Sequence, residues 1–217
     1  KNNPMTSRLE NPTPIDRGSL IRNVLPIQNG TVELFYGVLG SNWASSAFAE
    51  IRDKSSWEQK SIQMFGRKTL SPRLSAWHGD KSYTYSGLTW SPVTWTRPLK
   101  KIKARVEEIS DCQFNGVLLN LYRNGRDSMG WHSDNELELG SSPKIASLSL
   151  GAERRFLFRM QRNPAIRHSI SLPHDSLLIM SGETQTHWKH SLPKTTKVAD
   201  IRINLTFRWI DNLKQFF

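Results

Sequence analysis

Alternating apolar and polar positions dominate the second half of the chain and predict strands. After Asp111 the strand candidates are 115–122, 144–150, 154–160, 166–172, 175–181, 185–191 and 201–210. Turn formers separate them: Asn124-Gly125, Gly151, Asn163-Pro164, Pro173 and Gly182. Many short strands at regular spacing predict a closed double sheet, a jelly roll, with its core over about 113–210. The first half is mixed. Val32, Leu34, Tyr36 and Val38 alternate like a strand from Thr31 to about Gly40, and Ser41 stands where it can cap a helix to about Asp53. Residues 60–97 read as short strands and turns, punctuated by Gly66, Pro72, Gly79, Gly87 and Pro92. After Pro98, the residues Leu99, Ile102, Val106 and Ile109 recur at helical spacing, with Lys100, Lys101, Lys103 and Arg105 as a solvated face. Residues 1–30 hold Pro4, Pro12, Pro14 and Pro26 and read as an extended N-terminal arm. Residues 31–217 then form a single domain.

A length of 217 residues suffices for one sizeable core. No apolar run approaches a membrane-spanning helix, and none reads as a secretory leader. A lone cysteine, Cys112, excludes an internal disulfide and suits a reducing compartment. The net charge of +11 makes polyanions the natural partners. A generally basic soluble protein would show the same total, so the distribution matters more. From Arg52 to Arg105 there are 12 Lys and Arg against 3 acids, interleaved with Trp57, Phe65, Trp77, Tyr83, Tyr85, Trp90 and Trp95. Cations for phosphates and rings for unstacked bases are what a nucleic-acid groove uses, although some of these rings must fill the core.

His132-Ser133-Asp134 and the distant His190 are the candidate chemistry. Side chains two apart in an extended segment project to one side, so His132 and Asp134 can reach one ion while a later strand brings His190. Two imidazoles and a carboxylate suit Fe(II) with positions left open, and zinc takes the same donors. On the last strand Arg202, Asn204, Thr206 and Arg208 face one side, and Ile203, Leu205 and Phe207 the other. If both sides are buried, the guanidinium groups require an anionic partner, and a dicarboxylate such as 2-oxoglutarate fits. An edge strand with arginines in water is the alternative. His78, His168 and His174 read as surface or packing residues. On a strand, His187 would face away from His190.

The ordered blocks Asn120-Leu121-Tyr122, Gly130-Trp131-His132-Ser133-Asp134-Asn135-Glu136, His187-Trp188-Lys189-His190-Ser191-Leu192-Pro193 and Arg202-Ile203-Asn204-Leu205-Thr206-Phe207-Arg208 resemble the AlkB family. These are Fe(II)- and 2-oxoglutarate-dependent dioxygenases that repair alkylated nucleic-acid bases. The resemblance covers about 60–210. Gln63-Met64-Phe65-Gly66-Arg67 and Tyr83-Thr84-Tyr85-Ser86-Gly87 place it nearest the animal DNA-repair homologues. It implies an α+β, mainly β fold: a double-stranded β-helix (jelly roll) with supporting helices and an N-terminal nucleotide-recognition lid at about 60–97. It implies that His132, Asp134 and His190 bind iron and carry catalysis, and that Asn120, Tyr122, Arg202, Thr206 and Arg208 hold 2-oxoglutarate. Tyr83, Thr84 and Tyr85 would line the base pocket. Phe65, Gly66 and Arg67 would lie on the nucleic acid, and Asn135 and Glu136 near the base edge.

The implied cofactors are Fe(II), 2-oxoglutarate as co-substrate, and O2. The implied activity is oxidative removal of alkyl groups from 1-methyladenine, 3-methylcytosine and etheno adducts in DNA, with formaldehyde as the methyl product. An RNA demethylase of the same chemistry and a non-catalytic nucleic-acid-binding module are the alternatives. The expected partner is alkylated DNA, single- or double-stranded, or RNA. No membrane association is expected. The chain should be a monomer, intracellular and with the DNA, in cytoplasm, nucleoid or nucleus. Two departures stand out. Asn135 follows the iron aspartate where close relatives often carry an acid. The stretch Arg159 to Arg167 is shorter than the basic loop with which duplex-specific relatives grip a second strand.

Overall fold

The computed structural model describes residues 20–64, 67–85 and 88–211, with side chains described outside 62–68 and 83–88. In chain order the strands are β1 (Ile21–Leu25), β2 (Thr31–Tyr36), β3 (Ser61–Met64), β4 (Arg67–Leu70), β5 (Leu74–Gly79), β6 (Tyr83–Tyr85), β7 (Leu88–Trp90), β8 (Gly116–Tyr122), β9 (Met129–His132), β10 (Ile145–Gly151), β11 (Arg154–Met160), β12 (Arg167–Leu172), β13 (Ser176–Ser181), β14 (Trp188–Leu192) and β15 (Arg202–Arg208). Helices α1 (Ser41–Lys54) and α2 (Arg97–Ser110) precede β3 and β8, and a short α3 (Thr184–His187) precedes β14.

A seven-stranded sheet runs β1-β2-β13-β10-β15-β8-β5, and a four-stranded sheet runs β12-β11-β14-β9. All pairings in both are antiparallel. Two layers of side chains hold this sandwich. Val117, Leu119, Leu121, Ile203, Leu205 and Phe207 pack with Ala44, Ala47 and Ile51 of α1 and Leu99, Ile102, Val106 and Ile109 of α2. Leu118, Tyr122, Leu178 and Met180 on the opposite face pack with Phe156, Phe158, Trp188 and Leu192 of the smaller sheet. The larger sheet is therefore covered on both sides, and every residue of β8 and β15 is buried. This is the jelly roll expected from the strand pattern. The hairpins β3–β4 and β6–β7 stand as separate two-stranded units, whereas β5 between them joins the large sheet.

Several local expectations are corrected. Residues 21–25, read as part of an extended arm, form β1 against β2, while residues 1–19 lie outside those described. Helix α1 starts as expected, but Ser41 is its first residue rather than its cap. Gly40 holds the cap position with no side-chain cap, and the Asp175 carboxylate fixes the approach to the helix by accepting from the backbone N–H groups of Leu39 (2.9 Å) and Gly40 (2.9 Å). Helix α2 is capped by Thr96, which accepts from Leu99 N–H at 3.5 Å, and ends at Asp111 in the left-handed region. Burying its four aliphatic side chains contributes roughly 6–12 kcal/mol as an upper figure. Arg105 does not belong to a solvated face. It is buried and donates to the Val38 carbonyl at 2.9 Å and to Glu108 at 2.7 Å. The expected strand 185–191 begins later, at Trp188, after the turn of α3.

Candidate metal and co-substrate site

Neighbouring strands β9 and β14 set His132 directly across from His190, with ring centroids 4.2 Å apart at 69°. Asp134 follows just beyond the end of β9, its Oδ1 4.0 Å from His132 Nε2. One donor atom from each of the three lies within 4.8 Å of the others, close enough to share an ion. Asp134 and His190 are 1% and 3% exposed, and His132 keeps contact with solvent. His132 Nδ1 meets the Gly130 carbonyl at 2.9 Å. A carbonyl only accepts, so the proton sits on Nδ1 and the Nε2 lone pair points the chemistry toward a metal.

The turn carrying Asp134 is tied to the helix before His190. Gln185 Oε1 accepts from Asp134 N–H (2.9 Å), and Gln161 Nε2 donates to the Thr186 carbonyl (2.9 Å) and to Ser133 Oγ (3.4 Å). Phe156 stacks on the His190 ring at 5.3 Å and 25°, and Phe158 meets it at 6.3 Å. These rings keep water from the imidazole.

Electrostatics leave all three donors unprotonated. Burial alone would raise the Asp134 carboxyl, but Arg208, whose Nη2 donates to Oδ1 at 3.0 Å, and then the two histidines hold it at about 2. Burial, reinforced by the His132 ring, pushes His190 down to about 3. Burial is also the main cause lowering His132. Metal fits this set on a further ground: His190 Nδ1 is a buried ring nitrogen with no hydrogen bond among the described residues. Two neutral imidazoles and a carboxylate make a borderline site for Fe(II), with positions left for a co-substrate.

A buried polar face that could hold such a co-substrate lies on the β8–β15 pair. The register of β15 on β8 places Arg202 opposite Tyr122, Asn204 opposite Asn120 and Thr206 opposite Leu118, all on the face toward the smaller sheet. The edge-strand alternative for the arginines is thereby excluded. Arg202, 2% exposed, donates from Nη2 to Ser149 Oγ (2.8 Å) and lies 5.3 Å from the Tyr122 ring centroid. Its Nε has no hydrogen-bond partner among the described residues, and burial brings its pKa from 12.5 to about 10. A buried cation so poorly neutralised suits an incoming carboxylate. Thr206 lines the same face, but its hydroxyl donates to Asn204 Oδ1 (2.8 Å) while Asn204 Nδ2 donates to Ser147 Oγ (2.7 Å). Asn120 Oδ1 accepts from Arg73 Nε (2.7 Å) and Ser75 Oγ (3.0 Å), so donation to a ligand falls to its Nδ2.

The structure therefore brings together His132, Asp134 and His190, bonds Arg208 to Asp134, and sets Asn120, Tyr122, Arg202 and Thr206 on one face of the β8–β15 pair. Of the expected base contacts, Asn135 is exposed and Glu136 half-buried, directly after Asp134. Phe65 and Gly66 lie outside the described residues. Arg67 sits on β4 and Tyr83, Thr84 and Tyr85 on β6, where the backbone alone is described. His187 stands in α3 near Glu183 (3.4 Å), so its position off the metal has a different cause from the one expected. Residues missed from sequence are Arg73, Ser75, Ser147, Ser149, Asn204, Gln161 and Gln185. Of these, Asn204 alone carried a signal, the shared strand face with Arg202 and Arg208.

Known proteins resemble this chain in sequence and in fold. The family described as the 2OG-Fe(II) oxygenase superfamily matches residues 31–208. The human alpha-ketoglutarate-dependent dioxygenase alkB homolog 3 is 38% identical over 213 residues, covering 94% of this chain and 74% of that protein. The human DNA oxidative demethylase ALKBH2 is 44% identical over 158 residues, covering 69% of this chain and 60% of that protein. The chain spans from half to about three-quarters of the length of the alkB homolog 3 proteins it matches. The solved structure of OsALKBH1 superposes with a TM-score of 0.64 at 14% identity, over 86% of this chain and 100% of that one, a likeness of fold.

Proposed function

This chain belongs to the AlkB family of 2OG-Fe(II) oxygenases, and from that premise we propose that it repairs DNA by oxidising alkyl groups off base nitrogens. The proposed lesions are 1-methyladenine, 3-methylcytosine and etheno adducts, and the methyl carbon leaves as formaldehyde. The observation that carries this reading is the convergence of His132, Asp134 and His190, together with the buried guanidinium of Arg202 on the strand face that carries Arg208. A binding module needs neither. With Fe(II), O2 and 2-oxoglutarate bound, the cofactor supplies the oxidising power to hydroxylate an otherwise inert N-methyl carbon.

The chain's own residues supply binding, orientation and exclusion of water. His132 and His190 present neutral imidazole, and Asp134 a carboxylate held ionised by Arg208. Arg208 bonds the Asp134 carboxylate and would stand at the metal end of a bound co-substrate. Arg202, on the same face of β15, would take the far carboxylate of 2-oxoglutarate. Phe156 and Phe158 keep the imidazole side dry. A base inside a duplex cannot reach this depth, so the substrate base must be flipped out. Damage that blocks pairing lowers that cost. The hairpins β3–β4 and β6–β7, with Phe65 to Arg67 and Tyr83 to Tyr85, are assigned to strand and base contact. The protein works as a monomer alongside the DNA.

The test is formaldehyde release from oligonucleotides carrying 1-methyladenine or 3-methylcytosine. Release should require both Fe(II) and 2-oxoglutarate and vanish in His132→Ala, while oligonucleotide binding survives. Turnover that persists without iron would overturn the reading. The same lesions presented in RNA measure the preference for DNA, since contacts to a 2′-hydroxyl distinguish the two.

A further inference from the structure

Arg154, the first residue of β11, is 2% exposed and belongs to no part of the site described so far. Its three hydrogen bonds all end on backbone carbonyls: Nη1 on Asn124 (3.1 Å), Nη2 on Asp127 (2.9 Å) and Nη2 on Pro193 (2.7 Å). Asn124 and Asp127 lie in the loop that leaves β8 and leads to His132. Pro193 lies three residues after His190. The same two loops also touch directly. Gly125 N–H donates to the Val198 carbonyl and Thr195 N–H to the Gly125 carbonyl, each at 2.8 Å. A Cβ at Gly125 would strike the Thr195 carbonyl, so only glycine permits this approach. The Asp127 carboxylate is occupied by Arg123 (2.8 and 2.9 Å).

The Arg154 guanidinium lies 5.8 Å from the Tyr122 ring centroid, and that of Arg202 lies 5.3 Å from the same centroid. Two buried cations thus share one ring, and among the described residues neither has a carboxylate in its hydrogen bonds. Packing them together is unfavourable in the protein alone and becomes favourable when a dianion arrives. Their mutual repulsion contributes, after burial, to the lowered pKa of Arg202.

We propose that Arg154 is a positioning residue for the co-substrate: it pins the two loops and the Tyr122 ring, and so presents Arg202 to the far carboxylate of a 2-oxo dicarboxylic acid. This rests on the reading of Arg202 as that anchor. The planar fork of arginine offers donors in fixed directions, and three carbonyls on two loops fix its plane. A lysine keeps the charge but spans fewer of them. Because Arg202 is remote from Asp134, the influence of Arg154 falls on the far end of the ligand and not on the metal.

The experiment compares wild type, Arg154→Gln, Arg154→Lys and Arg202→Met by calorimetry, with Mn(II) in place of Fe(II). The probes are 2-oxoglutarate and 2-oxobutyrate, which lacks the far carboxylate. Arg154→Gln should weaken 2-oxoglutarate about 10- to 100-fold. Arg154→Lys should weaken it less, and Mn(II) and 2-oxobutyrate affinities should stay within about twofold. Should the glutamine variant not fold, the lysine variant keeps the charge and must show the same selective loss. Unchanged 2-oxoglutarate binding, or a parallel loss of Mn(II) and 2-oxobutyrate as expected of a merely structural residue, overturns the inference. Wild type that binds no 2-oxoglutarate overturns the co-substrate reading itself. Loss in Arg202→Met with Arg154→Gln intact overturns the role of Arg154 alone.

Discussion

Replacing Arg202 by methionine should remove co-substrate binding and yet leave the ligand-free protein as stable or more so. Arg202 is buried, with a hydrogen bond to Ser149 and a contact with the Tyr122 ring. Burial takes its pKa from 12.5 to about 10. At about 1.4 kcal/mol per pH unit, that is a penalty of roughly 3 kcal/mol for carrying the cation in the folded state. The sign follows from a base whose folded pKa is below its unfolded one. Folding disfavours the charged form at all pH below about 10, so deleting the charge recovers stability at neutral pH. Against this, Ser149 loses its donor, about 1 kcal/mol, and the ring contact is worth about another 0.5–1 kcal/mol. The net is about 1 kcal/mol of stabilisation, or roughly 2–4 °C in Tm for a chain of this size. In the ligated protein, two charge-assisted hydrogen bonds at about 1.5–3 kcal/mol each are lost, which weakens 2-oxoglutarate at least about 100-fold. Differential scanning fluorimetry with and without Mn(II) and 2-oxoglutarate reads both effects. A variant that melts more than about 5 °C below wild type, or that is still stabilised by 2-oxoglutarate as wild type is, would refute the reasoning.

Asp134→Ala strips the carboxylate from Arg208 across a 3.0 Å buried bridge and should lower stability by about 3–5 kcal/mol in urea unfolding. Adding Arg208→Met should recover most of that; no recovery would mean the cost has another source. The ligand-free protein should also weaken as pH falls. His190 is depressed to about 3, so the unfolded chain binds its proton first and stability drops from about pH 6.5 down to about 3. Asp134, depressed to about 2, adds a loss in the same direction as pH falls through its ordinary range toward 2. Between pH 7 and 5 the loss from His190 is about 2 kcal/mol, and His190→Gln should flatten that slope in urea titrations.

The short apolar runs bounded by turn formers after Asp111 made most strands of the sandwich legible. The pattern on β15 even separated the chemical side (Arg202, Asn204, Thr206, Arg208) from the packing side (Ile203, Leu205, Phe207). What it did not carry was the place of β15 in the sheet, since its neighbours β10 and β8 are distant in sequence. Long-range polar partners were invisible for the same reason. Arg105 reads as part of a charged helix face, and its acceptor is Val38; Asp175 holds the two residues before the helix that begins at Ser41; Arg73 and Ser75 meet Asn120. Helix α3 spans Thr184–His187, too short to show a period of its own, so it was merged into the strand that follows.

Because the arginines and the aliphatic residues alternate on β15, a slip of one residue against β8 or β10 would drive both guanidinium groups into the oily layer beneath the helices and turn Ile203, Leu205 and Phe207 toward the ligand. Misaligned conformers thus forfeit hydrocarbon packing and oxoacid recognition simultaneously, and any quality control that senses exposed grease would discard inactive protein by the same criterion.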